Sequence, residues 1–309
     1  MAHAHQHHHH SHATNARVSR KLIIATAATA LFVVFELSAG MISGSLALLG
    51  DALHNFTDAL ALGLALLAIV IERRPATAEK SFGYQRAGVL AAFINAATLV
   101  ALTLFIFVEA ITRFRNPHGV DSTWMLITAS VALLLNAAIT AWLHEDGRHD
   151  LNIRGAVLHM LGDAVSSAGI IVAALLVRRT GASIWDPAIS MLIGALILWS
   201  SWGILRETMN LLLEGTPVGI DPEAVTRAIG TIDGVFGVHH LHIWALAPSR
   251  PALSCHIMVG DVPLKTTAVL LGQITELLAH DYHIAHTTVQ FEFANCDEND
   301  PFCLPYSKR

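Results

Sequence analysis

Six stretches of this sequence are long and apolar enough to cross a bilayer, at about residues 22–44, 45–71, 89–112, 124–143, 155–177 and 187–212. A helix rises 1.5 Å per residue, so about 20 apolar residues cover the ~30 Å hydrocarbon core. In lipid each backbone N–H and C=O needs a partner inside the chain, and runs of this length meet that need as helices. Composition agrees: 53% of the 309 residues are hydrophobic and 14% are charged, where a soluble domain carries about 25% charge. The first class expectation is therefore an all-α bundle of six transmembrane helices.

Lys and Arg in the short loops set the expected orientation. Arg17, Arg20 and Lys21 precede the first run. Arg73, Arg74, Lys80 and Arg86 follow the second, and Arg148 and Arg154 follow the fourth. The opposite side carries Arg113, Arg115, Arg178 and Arg179. Both termini are expected in the cytoplasm. The first two runs are separated by "SGS", a tight hairpin in which Gly40 and Gly44 either let two helices approach or simply flex. Asp186 and Pro187 read as the N-cap and first position of the sixth helix.

The boundaries expected are a His-rich cytoplasmic tail at 1–21, the membrane domain at 22–212, a small cytoplasmic domain at 213–295 and a flexible tail at 296–309. The tail's histidines are broken by Ala, Gln and Ser, which favours a native metal-collecting segment over an expression tag. In the small domain, "DPEAVTRAIGTI" opens with an Asp-Pro cap, "VHHLHIWAL" and "ALSCHIMVG" are strand-like, "TAVLLGQITELLAHDY" is helical and "HTTVQFEF" is strand-like. The order α-β-β-α-β suits an α+β fold with its helices on one sheet face. A net charge of -5 gives no electrostatic footprint for nucleic acid. Three cysteines without framework spacing exclude a disulfide scaffold.

Charge inside the apolar runs points to function. A charged side chain at bilayer depth is costly and usually faces the bundle interior or a watery path. "GDALHNFTDAL" places His54 and Asp58 four apart, on one helix face, and "LHMLGDAVSSAG" does the same with His159 and Asp163. Two imidazoles and two carboxylates that converge suit Zn²⁺ and its neighbours better than Mg²⁺ or Ca²⁺. Asp51, three before His54, is open between an entry vestibule, a partner of a ligand and helix packing. Glu36, Glu109, Asn95 and Asn136 are expected to serve packing or helix-end contacts.

"SLALLGDALHNFTDALAL", "FGYQRAGVLAAFINA", "LHMLGDAVSSAG", "WDPAISMLIG", "LLLEGTP" and "VHHLHIWAL…TTVQFE" together resemble the cation diffusion facilitators, in particular their bacterial zinc exporters, from Ala16 to Cys296. The resemblance implies that His54, Asp58, His159 and Asp163 bind the transported Zn²⁺, with Cd²⁺ or Co²⁺ as alternatives. It also implies a homodimer in the bacterial inner membrane, a ferredoxin-like C-terminal domain, and exchange of metal for protons. Gly88 departs from the acidic residue that relatives often carry after the "FGYxR" stretch. Ligand deprotonation supplies the coupling: metal binding displaces protons, and imidazole changes charge in the physiological range.

The small domain offers further metal ligands. Strand alternation puts His240, His242, His256 and Glu292 on the sheet face away from the helices. The resemblance points to His239, His256, His286 and Glu292, which a bulge near His239 reconciles with alternation. Zn²⁺ here is expected to regulate. Cys296 and Cys303 form no CxxC clip but reach a metal if the tail folds back, and "HEDGRH" at 144–149 reads as a solvated loop. Two rival functions are a membrane metal sensor and an intramembrane metalloenzyme. The first lacks a signalling motif, and the second lacks a Glu beside either H-x-x-x-D pair. The chain is expected not to be an enzyme.

Overall fold

The computed structural model describes residues 11–143 and 151–293. Residues 1–10 of the His-rich start, "HEDGRH", Cys296, Cys303 and the C-terminal tail lie outside the described residues. Eight helices and three strands follow in the order α1 (Ser11–Ser43), α2 (Leu46–Glu72), α3 (Ala87–Arg115), α4 (Ser122–Leu143), α5 (Leu151–Thr180), α6 (Trp185–Leu212), α7 (Pro222–Gly230), β1 (Gly237–Ala247), β2 (Arg250–Met258), α8 (Leu264–Asp281) and β3 (His286–Glu292). Among the described residues, five helices have the length and apolarity of a membrane span: α2, α3, α4, α6 and the Ala156–Thr180 part of α5. In α1 the apolar described part is Ala27–Ser43.

The chain clusters into two compact units, Met1–Gly63 with Asn95–Trp202, and Leu64–Ile94 with Gly203–Arg309. In the first unit the usual order of burial is reversed. Leu31, Leu134 and Trp199 are 77%, 69% and 80% exposed, whereas Glu36, Asp51 and Asp186 are 0%, 1% and 0% exposed. Water would penalise that surface; lipid favours it, and polar groups then have to turn inward. The protein is an integral membrane protein.

The α1–α2 hairpin turns at Gly44, whose φ of +68° is a conformation that glycine adopts without penalty. Gly40 permits close approach: a Cβ there would lie 3.0 Å from Leu49 Cδ2. The start of α2 is held by a residue from far along the chain. Asp186 Oδ1 accepts from the Ser45 hydroxyl at 2.6 Å and from Ala47 N at 3.2 Å, and Oδ2 accepts from Leu46 N at 2.7 Å. Arg113 Nη1 lies 3.6 Å from Asp186 Oδ2 and donates to Gly44 O at 2.5 Å, while its Nε pairs with Glu109 at 2.9 Å. This corrects the expectation for Asp186. It lies at the start of α6 but caps α2: its two oxygens are taken by the Ser45 hydroxyl and the orphan N–H groups that open α2.

In the second unit, Asp221 caps α7 by accepting from Glu223 N at 3.0 Å, with Pro222 first in the helix. The sheet order is β1-β2-β3. β1 and β2 pair antiparallel, and β2 and β3 pair parallel across the α8 crossover. Val225, Ile229, Ile274 and Leu278 from the helices pack on Leu241, Ile243, Leu253 and Ile257 from the sheet. Gly88 N donates to Glu72 Oε1 at 3.0 Å, and a Cβ at 88 would meet that oxygen at 2.7 Å. The departure at Gly88 therefore fits this chain's Glu72, which an acidic side chain at 88 would displace and repel.

Candidate metal centre

Helical spacing brings His54 and Asp58 onto one face of α2, and His159 and Asp163 onto one face of α5. The two faces meet. His54 Nε2 lies 3.5 Å from Asp58 Oδ2 and 3.9 Å from Asp163 Oδ1. His159 Nε2 lies 3.3 Å from Asp58 Oδ2 and 3.6 Å from Asp163 Oδ2. The four side chains thus close a ring with edges longer than good hydrogen bonds. Ligands about 2.1 Å from a tetrahedral zinc are about 3.4 Å apart, so these edges match a shared ion better than four direct bonds. Across its diagonals the ring is wider. Among the described residues, His239, His256 and Glu292 are the set whose ligand atoms all lie within 4.8 Å of one another, so an ion in the ring would draw its opposite members together.

Polar atoms of the ring are buried without hydrogen-bond partners: His54 Nδ1, Asp58 Oδ2 and Asp163 Oδ2. The neighbouring hydroxyls do not satisfy them. Thr57 Oγ1 donates to His54 O at 2.7 Å and Ser167 Oγ donates to Asp163 O at 2.8 Å, both within their own helices. A cavity of about 170 Å³ adjoins the ring, lined by Thr29, Asn55, Asp58, Leu143, His159 and Met160. Those residues fall on the side of the ring toward the end of α4 and the start of α5, away from the α1–α2 hairpin.

Asp51 does not join the ring. It lies beside Glu36, whose Oε2 accepts from Asn55 Nδ2 at 3.1 Å. Glu36 and Asp51 form a buried carboxyl pair linked through Asn55 to the helix face that bears the ring. Sequence reading placed Glu36 in packing and missed this link, because α1 carries no repeated motif to flag it. Glu109 makes the helix-end contact expected of it, through Arg113.

The small domain assembles its own set. His239 pairs with His256 across β1 and β2. His239 Nε2 lies 3.0 Å from Glu292 Oε2, and His256 Nδ1 lies 2.9 Å from Glu292 Oε1. Strict alternation fails at His239 alone: His242 pairs with Ser254, on the same face as His256, while Leu241 and Ile243 turn to the helices as alternation expects. The register shifts between His239 and His242, with His240 at φ +49°. The extra residue moves His239 onto the face of His256. His240 stacks on the His256 ring at 4.7 Å. His286 stands at the far end of β3, with its ring against Phe82 at 5.5 Å, and is not brought into the set. Partial burial pushes the Glu292 carboxyl up, but the Gln290 and His239 hydrogen bonds and the two imidazoles outweigh it and hold it below the ordinary carboxylate range. A carboxylate kept ionised between two imidazoles is suited to a cation.

Residues 22–213 match the cation efflux transmembrane domain, and residues 217–294 match the cation efflux protein cytoplasmic domain. The chain belongs to the cation efflux family. Similar relatives include the zinc transporter ZitB of Escherichia coli, 42% identical over 91% of this chain and 90% of that protein. The metal cation efflux system protein CzcD of Cupriavidus metallidurans is 38% identical over 91% and 89%. The cadmium, cobalt and zinc/H(+)-K(+) antiporter of Bacillus subtilis is 37% identical over 89% of each. The metal-bound C-terminal domain of a CzcD transporter is 33% identical, covering 24% of this chain and 99% of its own, with a TM-score of 0.22. These relatives, which the chain matches over about nine-tenths of its length, are named for the transport or efflux of metal cations, zinc, cadmium and cobalt among them, and the chain carries both the transmembrane and the cytoplasmic domain of the cation efflux family.

Proposed function

We propose that the protein exports Zn²⁺ from the cytoplasm in exchange for protons, by exposing the His54–Asp58–His159–Asp163 ring to each side of the membrane in turn. The observation that carries this reading is the ring itself: two imidazoles and two carboxylates within span-length helices, with edges of 3.3–3.9 Å and three buried polar atoms left without hydrogen-bond partners. Cd²⁺ and Co²⁺ are secondary substrates, by their similar taste for imidazole. Six spans then include α1, both termini lie in the cytoplasm of a bacterial inner membrane, and the α-β-β-α-β domain is ferredoxin-like. With that orientation, the cavity beside the ring faces inward and the Asp186–Arg113 network closes the outer end.

The exchange follows from ligand chemistry. Zinc entering from the cytoplasm needs unprotonated ligands and displaces their protons. On the outer side, protons from the more acidic medium return to imidazole or carboxylate and expel the ion. The protonated ring turns inward and releases them. Rocking of helix groups about a midplane site is the usual means. In the cytoplasm, zinc at His239, His256 and Glu292 favours a transport-ready homodimer, since a ligand shifts the population toward the state it binds better.

Proteoliposomes loaded with a zinc-sensitive dye test the reading. Zinc flux should need a pH gradient and collapse with a proton ionophore. Calorimetry of zinc binding in buffers of different ionisation enthalpy should show buffer-dependent heats, reduced in His159→Ala. Flux that persists without the gradient, with identical heats in all buffers, refutes proton exchange.

A further inference from the structure

The segment joining α2 to α3 builds a second cavity, of about 680 Å³, within the unit that holds the small domain. Its walls are pinned. Thr77 and Lys80 exchange backbone hydrogen bonds at 3.1 Å, and Gly83 N donates to Lys80 O at 2.8 Å. Arg86 Nη2 donates to Glu214 Oε1 at 3.2 Å and to Ala245 O at 3.5 Å, which ties the segment to the end of α6 and to β1.

The lining has two characters. Ile71, Phe82, Leu90, Leu212, Trp244 and Leu246 are apolar. Arg74, Lys80 and Arg86 face Glu79 and Glu214, and the Arg86–Glu214 pair is closed on itself. Arg74 and Lys80 against Glu79 leave one net positive charge. The position is the polar end of three helices: α2 stops at Glu72, α3 starts at Ala87 and α6 stops at Leu212. Exposed apolar side chains lead to it along those helices, with Val70 60%, Leu90 49% and Met209 43% exposed.

A ligand that matches this wall has one negative charge at its head and an apolar tail. Soluble phosphate matches the cations but leaves six apolar walls wet. A zwitterionic lipid fills the walls but brings its own cation against Arg74 and Lys80. We propose that the cavity binds a phospholipid of net negative charge, its phosphate facing Arg74 and Lys80 and its upper chains lying along Phe82, Leu90 and Leu212. The bound lipid bridges the α2–α3 segment, the end of α6 and β1, so bilayer composition tunes how firmly these three are held. Basic pockets at the polar ends of membrane helices are used in this way.

Trp244 in the cavity wall provides the probe. The full chain, with Trp124, Trp142, Trp185, Trp199 and Trp202 changed to Phe, is reconstituted in phosphatidylcholine vesicles containing brominated phosphatidylglycerol or brominated phosphatidylcholine. Brominated phosphatidylglycerol should quench Trp244 at several-fold lower mole fraction. Arg74→Gln and Lys80→Gln should each raise its half-quenching fraction about fivefold, the share of one cation near an anionic surface. The charge-conserving pair Arg74→Lys with Lys80→Arg should keep it, which separates lost charge from lost fold. Equal quenching by both lipids, or no shift in the Gln variants, overturns the site. Protection by millimolar inorganic phosphate overturns the lipid in favour of a soluble anion.

Discussion

Replacing Asp58 by Asn tests the ring with little change of shape. Asp58 Oδ2 lies 3.5 Å from His54 Nε2 and 3.3 Å from His159 Nε2, and it has no hydrogen-bond partner to lose. Two neutral imidazoles and two carboxylates around Zn²⁺ sum to zero charge, whereas the Asp58→Asn change leaves one positive charge uncompensated. A lone charge at the centre of a membrane helix costs about 2.5–3.5 kcal/mol on the insertion scale. At 1.4 kcal/mol per decade, zinc affinity should fall about 60- to 300-fold from charge alone, and further with the lost Zn–O bond. The assay is competition of the purified protein with a chromophoric chelator, in a His239→Ala/His256→Ala background that removes the small-domain set. Asp58→Glu keeps the charge and should recover part of the affinity. If Asp58→Asn binds zinc within about threefold of its parent, a change of under ~1 kcal/mol, the ring does not hold the ion and the electroneutrality argument fails.

His54→Asp replaces one borderline ligand by a hard one, so relative uptake across a metal panel should move toward Mn²⁺; an unchanged order of uptake counts against His54 as a ligand. Asp186→Ala strips the α2 cap and takes one of two carboxylates from Arg113, which keeps Glu109; the lost cap should cost about 1–2 kcal/mol and lower the thermal midpoint in detergent, and a midpoint equal to the parent's denies the network any structural role. Burial pushes the Cys255 thiol up to about 12, so at pH 8 alkylation in a Cys296→Ser/Cys303→Ser chain should run about three orders of magnitude slower than for a free thiol. The same raised pKa gives stability that is full below about pH 8.5 and declines by roughly 1.4 kcal/mol per unit as pH rises toward 12; fast labelling at pH 8 with intact fold refutes the buried placement.

Local patterns were readable in the sequence because their cause is local. The apolar runs give span-length helices since lipid and the 1.5 Å rise fix their length. The i, i+4 spacing fixes which side chains share a face, so His54 with Asp58 and His159 with Asp163 were visible pairs before their meeting was. The Asp221–Pro222 start of α7 was readable for the same reason. What was hidden depends on partners far along the chain or on a single backbone angle. Nothing near His240 announces a φ of +49°, yet that residue decides whether His239 or His240 pairs with His256. Nothing near Glu36 announces Asn55.

Asp186 shows how a correct local signal leads to an incorrect partner. "WDPAIS" is a good helix start, and α6 does begin there. The acidic side chain at such a start normally serves the N–H groups just ahead of it, as Asp221 does, but the hairpin brings Asp186 three donors from 139 to 141 residues away. Once α2 takes the carboxylate, Arg113 is drawn to it from α3, and four segments are fastened at one end of the bundle. The ring lies eight or more residues further along α2, about 12 Å at 1.5 Å per residue, with its cavity on the other side. Any motion that opens the hairpin end to the ring has to break these charge-assisted bonds or bend α2 between Ala47 and His54. The first course costs several kcal/mol. The second meets Gly50, where a Cβ would lie 3.2 Å from Ile106 Cδ1, so α2 is packed tightly against α3 in the same stretch. On the proposed alternating exposure of the ring, this closely packed length of α2 would move as a rigid piece with α3 rather than bend.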